Sequence, residues 1–252
     1  MAGNTAVAGT TVTSRVLALL GAFDARHREL TLSDLARRAG LAPATAHRIV
    51  AELTAWGALD RTDAGTYVVG RRLWHTGLLA PVARELREVA VPFLNDLYGA
   101  TLATVHLAVR DGDQVLYLET LSGRRSVPVI STVGTRLPLH ATGVGKVLLA
   151  HAPQSVQEQV LGSPLRRFLP RTVTDPAVLR RQLDRVRAVG YATTEEELMP
   201  GACSVGVPIT TADGVVGALG FVVADLRRSR GRLVAALQVA ARGIARGLQR
   251  SG

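Results

Sequence analysis

The stretch that decides the fold is Leu32 to Leu53, LSDLARRAGLAPATAHRIVAEL. Its apolar residues fall into two sets, Leu32, Leu35, Ala36 and Ala39, then Ala46, Ile49, Val50 and Leu53. Each set recurs at i, i+3, i+4, i+7, the spacing that gives a helix one buried stripe. Thr31 or Ser33 is placed to cap the first of these helices, Gly40 supplies the left-handed residue that ends it, and Pro43 suits the first turn of the next. Leu41-Ala42 is left as a tight turn. Working outward, Val16, Leu19, Leu20 and Phe23 form a third stripe upstream. Downstream, Leu59 to Arg61 and Thr66 to Val69 are strand-like runs around the turn-rich Thr62-Asp63-Ala64-Gly65. Three helices followed by a two-stranded wing, over residues 12–71, form the layout that sets one helix into a DNA groove.

In the last of the three helices, Ala44, Thr45, His47 and Arg48 lie between the apolar positions at the N-terminal end, where a recognition helix meets base edges. Small and hydrogen-bonding side chains suit that position. Arg61 on the wing can reach phosphate with Tyr67 in support, and Ser33 completes the candidate DNA-contact set. The same three-helix geometry also serves purely structural packing, so an assembly module without DNA stands as the alternative. Steep loss of DNA affinity with salt separates the two.

With 252 residues the chain has room for two domains whose cores need no staples. Its one cysteine, Cys203, excludes an internal disulfide and points to a reducing, cytoplasmic setting. Residues 1–11 are small and polar, read as a flexible start, and no apolar run reaches signal-peptide or membrane-spanning length. The formal charge of +10 is a poor locator of a DNA face. Residues 1–90 hold 11 Arg against 8 Asp and Glu, whereas residues 224–252 hold 7 Arg against Asp225 alone. The Arg227 to Arg232 cluster in that segment reads as solvated surface.

After the wing, Leu73 to Leu79 reads as a short helix, and Pro81 is placed to open a longer one carrying Val82, Leu86, Val89 and Phe93, with Pro92 marking a kink or second start. Residues 72–90 are taken as a linker helix, and residues 91–252 as a second domain. There Val105, Leu107 and Val109 alternate before the turn Asp111-Gly112-Asp113, Val115 to Leu118 returns, and Val127 to Ser131 is expected as a third strand. A glycine-punctuated loop, Val133 to His140, precedes a small-residue helix from about Ala141 to Ala150. Asp175-Pro176 starts a helix that Gly190 ends. Strands near Tyr191 to Thr194, Ser204 to Ile209 and Val215 to Val223 and a terminal helix from about Arg230 to Gln249 complete an α+β domain with an antiparallel sheet.

Catalytic motifs fail on inspection. Gly143-Val144-Gly145-Lys146 suggests a phosphate loop, but such a loop needs glycine where His140 stands and Ser or Thr where Val147 stands. Ala202-Cys203-Ser204-Val205-Gly206 approximates a nucleophile turn, yet it runs on into a strand rather than a helix. Cys203 near His140 is the remaining nucleophile candidate, and a lone cysteine is more often a small core residue. Three consecutive side chains, Glu195-Glu196-Glu197, cannot converge on one point from an extended segment and read as a solvated or partner-facing run. His140 has no partner at metal-ligand spacing. No catalytic residue, metal site or cofactor is expected.

Separated signatures coincide in order along the chain. Leu32 to Leu41 with Thr45-Ala46-His47-Arg48, then Leu137-Pro138-Leu139-His140-Ala141-Thr142-Gly143-Val144-Gly145-Lys146, then Gly190-Tyr191, together resemble the IclR family of bacterial transcriptional regulators. The likeness runs from about Val12 to the final helix. It implies a winged helix-turn-helix, a linker helix and a GAF-like effector domain, double-stranded operator DNA and a small-molecule effector as partners, repressor or activator action, and a homodimer or homotetramer. In relatives that bind small carboxylates the pocket comes from the Leu and Gly-Val of that loop, an acidic position, a cysteine-like position and two serines of one strand. Carried over, these fall on Leu137, Gly143, Val144, Thr194, Ser204, Gly220 and Val222. Thr194 replaces the acid, Ser204 rather than Cys203 aligns with the cysteine, and Gly220 and Val222 replace the serines. A buried ligand oxygen without a partner costs roughly 1–3 kcal/mol. The expected effector is therefore less polar, an aromatic or aliphatic metabolite.

Overall fold

The computed structural model describes residues 11–24, 27–79, 83–124 and 126–251. Pro81 and Val82, expected to open the second linker helix, and all but Thr11 of the segment read as flexible lie outside them. Contacts divide the chain into two units, Met1–Val82 and Ala83–Gly252.

In the first unit, α1 (Val12–Leu20), α2 (Leu32–Ala39) and α3 (Pro43–Trp56) bury Leu19, Leu35, Ala46, Ile49 and Val50 together, the residues of the three stripes. Thr31 rather than Ser33 caps α2, its hydroxyl accepting from the Asp34 amide at 3.1 Å. At Gly40 the chain takes φ +65, and the Leu41 amide turns back to the Ala36 carbonyl at 2.9 Å, closing the turn before Pro43. The wing strands β2 (Leu59–Arg61) and β3 (Tyr67–Val69) gain a third neighbour, β1 (Glu29–Leu30), in the antiparallel order β1-β3-β2. Two residues are too few to show alternation, so this strand left no sequence signal. A further helix, α4, covers Arg71–Leu78.

The second unit begins with α5 (Arg84–Thr101), which runs unbroken through Pro92 and across the boundary expected at 90/91. Its stripe Leu86, Ala90, Leu94 and Leu97 enters one continuous core, while Pro92 sits on the exposed side, the cheapest place for the hydrogen bond a proline removes. Strands β4 (Thr104–Asp111), β5 (Gln114–Leu121), β6 (Arg136–Pro138), β7 (Ala192–Glu195), β8 (Cys203–Thr211) and β9 (Gly214–Val223) form one antiparallel sheet in the order β6-β5-β4-β9-β8-β7. On one face lie α5 and the terminal α9 (Arg230–Ser251), packed on Val105, Leu107, Val205, Val207, Leu219 and Phe221. On the other lie α6 (Gly143–Ala150) and α8 (Pro176–Val189), around Ala108, Tyr117 and Ala218. Helix α7 (Gln154–Gly162) lacks a strong stripe and was not anticipated.

Val127 to Ser131 is not a strand. The Tyr117 amide and carbonyl of β5 are taken by Thr135 and Gly134 and β6 pairs with Gln114 to Leu116, while residues 127–131 join no ladder among the described residues. The segment instead crosses the sheet face on side-chain tethers: Thr104 Oγ1 donates to the Val127 carbonyl at 3.4 Å and Thr120 Oγ1 to the Ser131 carbonyl at 3.1 Å.

Candidate functional site

Apart from Lys146 the α6 segment is apolar all round, and every residue from Gly143 to Ala150 is buried. It lies directly on the sheet because of what it meets there. A Cβ on Gly206 of β8 would stand 2.8 Å from the Gly143 carbonyl carbon and the Val144 amide nitrogen, so only glycine permits this approach. Thr142 caps the helix by accepting from the Gly145 amide at 3.1 Å. The Gly143 amide donates to Ser204 Oγ at 3.0 Å, and that hydroxyl pairs with Thr194 Oγ1 at 2.6 Å.

Beside this contact a cavity opens between the start of α6, strands β4, β7, β8 and β9, the 129–131 segment and residues 198–202. All seven residues carried over from the family pattern, Leu137, Gly143, Val144, Thr194, Ser204, Gly220 and Val222, line it. Sequence reasoning missed others. His106 and Ser131 are only 3% and 4% exposed and are hydrogen-bonded, Nε2 to Oγ, at 2.9 Å. Tyr117 meets the His106 ring edge-on, with centroids 4.8 Å apart. Burial pushes the Tyr117 phenol up and His106 down to about 3, so both are neutral at pH 7. Alternation placed His106 on the non-core face of β4; nothing in the sequence announced a segment arriving over it.

Glu197 corrects the reading of the acidic run. Glu195 is exposed, but Glu196 takes φ +48 and accepts from the Gly201 amide at 2.8 Å, which turns Glu197 inward. Glu197 is 6% exposed and contacts Lys146 of α6, itself 1% exposed. Burial lowers the Lys146 ionisation and the Glu197 carboxylate opposes it. Thr172 ties the Glu197 carbonyl through its hydroxyl. This buried pair suspends Leu198, Met199 and Ala202, part of the cavity wall, from the helix whose start forms another part. A lysine in an otherwise apolar helix has no exposed position to occupy; that was the available signal.

The nucleophile candidates do not meet. Cys203 packs on the α9 face, its Sγ toward the Ala224 carbonyl at 3.5 Å, and burial pushes its thiol up. His140 Nε2 instead bonds the Arg166 carbonyl at 3.0 Å. Among the described residues no group of His, Cys, Asp and Glu could hold a metal ion, and no helix is long and apolar enough to cross a membrane.

On the first unit, Ala44, His47 and Arg48 are exposed on the N-terminal half of α3 with Thr45 half-buried beside them, and Ser33 is exposed on α2. The neighbouring arginines are committed: Arg37 pairs with Asp34, and Arg38 bonds the Ala22 carbonyl at 2.8 Å and Asp24 at 2.7 Å. Arg61 is exposed on the wing, its guanidinium 5.9 Å from the centroid of the half-buried Tyr67 ring. A winged helical unit with an exposed helix face carrying His47 and Arg48, and a sheet domain with a cavity beside α6, fit a DNA-binding regulator with an effector domain as a class.

The comparisons with known proteins agree in both units. The model of the IclR helix-turn-helix domain matches residues 12–63, and that of the bacterial transcriptional regulator IclR C-terminal domain matches residues 80–246. The chain belongs to the IclR family of bacterial transcriptional regulators; it is a DNA-binding regulator and not an enzyme. It is 37% identical to the HTH-type transcriptional regulator BhcR of Paracoccus denitrificans over 82% of this chain and 75% of that one. It is 34% identical to the glycerol operon regulatory protein of Streptomyces coelicolor over 93% and 94% of the two chains. An IclR homolog from Microbacterium hydrocarbonoxydans, solved in complex with 4-hydroxybenzoate, superposes with a TM-score of 0.90 at 37% identity, covering 95% of this chain and 100% of that one.

Proposed function

We propose that the chain is an operator-binding regulator whose DNA affinity is set by an organic acid with an aromatic or aliphatic body, held in the α6 cavity. The observation that carries this reading is the composition of the cavity wall. At one end stands the N-terminus of α6, where a carboxylate is favoured, beside the hydroxyls of Thr194 and of Ser204, which accepts from the Gly143 amide. Thr194 carries no charge to repel such a group. The rest of the wall offers Leu137, Val144 and Val222, with Gly220 leaving the sheet bare beneath them. Burying apolar ligand surface there contributes about 25 cal/mol per Å², whereas a small polyoxygenated acid leaves oxygens unpaired. The homolog crystallised with 4-hydroxybenzoate supports the choice.

In the same proposal Thr45, His47 and Arg48 contact base edges or phosphate, with Ser33, Ala44, Arg61 and Tyr67 around them, in a cytoplasmic homodimer or homotetramer. The effector regulates only if it binds the DNA-competent and DNA-incompetent states unequally.

One titration tests the reading. Labelled DNA from upstream of the protein's own coding region is bound across a salt series, then challenged with aromatic and aliphatic acids or with glyoxylate, alongside thermal melting. Expected are a negative salt slope, a change in DNA affinity with the larger acids, and a melting shift of about 5–10 °C at a hundredfold excess over Kd. Response to glyoxylate alone, or no salt-dependent DNA binding, overturns it.

A further inference from the structure

The polar groups of the cavity are not scattered; they fall at two ends. Ser204, Thr194 and the start of α6 occupy the β7–β8 end, and His106 with Ser131 occupies the β4–β5 end. Between them β9 contributes the apolar residues Gly220, Phe221 and Val222. The sheet register measures the gap. His106 pairs across the ladder with Gly220, and Gly220 with Gly206, which touches Gly143. Two inter-strand steps separate the two ends by roughly 10 Å at the backbone, and Val144, which stands over Gly220, forms the apolar wall between them.

The far end is also held in place. The Ser131 carbonyl is tied to Thr120 and the start of its segment to Thr104, while the edge-on contact with Tyr117 fixes the plane of the His106 ring. A serine hydroxyl has one proton and two lone pairs. Its bond to His106 therefore leaves capacity directed at a third partner, and Ser131 lines the cavity. We infer that His106 and Ser131 form a second polar anchor, which selects effectors carrying a hydrogen-bonding group across a flat apolar body from the carboxylate, as a para-hydroxylated aromatic acid does. This rests on the cavity being the effector site, as proposed above. Burial keeps His106 uncharged at neutral pH, so the anchor accepts a neutral hydroxyl rather than a second anion.

The test is calorimetric titration of the full-length protein with 4-hydroxybenzoate and with benzoate, for wild type, Ser131→Ala and His106→Leu. Wild type is expected to bind 4-hydroxybenzoate at least about tenfold more tightly than benzoate, and both variants to lose that preference while keeping their benzoate affinity. A purely structural role would lower both affinities together. Equal binding of the two acids by wild type, or a preference surviving in Ser131→Ala, overturns the second anchor alone. Binding of neither acid overturns the aromatic effector class along with it.

Discussion

The two faces of the six-stranded sheet are built from the same strands and do opposite work. On β4, Val105 and Leu107 face α5 and α9 while Thr104 and His106 face the other way; on β8 the division is Val205 and Val207 against Ser204 and Gly206, and on β9 Leu219 and Phe221 against Gly220 and Val222. The first face is closed over by Leu94, Leu237 and Ile244. The second is covered by α6 and α8 over part of its length and by the 127–131 segment and residues 198–202 over the rest, with the cavity between them. Successive side chains of a strand point to opposite faces, so a single run of ten residues can carry a close-packed core and a recognition surface together. The α5–α9 face is filled mainly by large apolar side chains, with Gly217 of β9 leaving room for Leu86, whereas Gly206, Gly220, Ser204, Thr194 and His106 lie on the other, beside its own buried cluster around α6 and α8.

The largest expected effect lies on the closed face. Phe221 is fully buried between β4, β8 and the α5–α9 layer, and Phe221→Ala should destabilise the protein by about 3–5 kcal/mol in denaturant unfolding. A cost near that of a surface substitution would mean the closed face relaxes readily, and the division of labour between the faces would fail.

The closed face was also the more legible one. Its residues announce themselves by alternation, and the stripes of α1 to α3 and the Leu137 to Lys146 loop were likewise readable, because each is a local pattern. The cavity face depends on encounters between distant segments. Ser131 reaches His106 from 25 residues away, and Glu197 reaches Lys146 from 51. Residues 127–131 carry β-branched residues, which suggested a strand, yet whether such a run pairs depends on whether a neighbouring edge is vacant. Here Gly134, Thr135 and β6 take the Gln114 to Tyr117 part of the edge, and the run is tethered by the side chains of Thr104 and Thr120 instead. Seven cavity residues were located through family resemblance rather than physics, since nothing local distinguishes a glycine that makes room for a helix from one that ends a strand.

The next effect separates the faces by pH. His106 has its ionisation depressed from 6.5 in the unfolded chain to about 3 by burial, so the unfolded chain takes up the proton first. Stability from this group is fully present above pH 6.5 and is lost as pH falls toward 3. Between pH 7 and pH 5 the loss should be about 2 kcal/mol. Measured as a difference, His106→Leu should lack this component while Phe221→Ala keeps it. Parallel pH profiles for wild type and His106→Leu would show that His106 is hydrated in the folded protein, and the cavity face would then be wetter than its burial implies.

The smallest effect on stability is expected at Ser204, and it makes the sharpest distinction between the faces. Ser204→Ala takes the acceptor from the Gly143 amide and the partner from Thr194. Because the amide borders the cavity, water can replace the lost hydroxyl, so the cost should be about 1 kcal/mol, at the low end for a broken hydrogen bond. Binding of a carboxylate at the start of α6 should suffer at least as much, since the ligand has to displace that water and finds one hydroxyl fewer. Chemical denaturation and benzoate titration of this one variant measure both quantities. If stability falls by several kcal/mol while benzoate affinity is unchanged, Ser204 is a structural strut for α6, and the second face is a core with a hole in it rather than a surface shaped for a ligand.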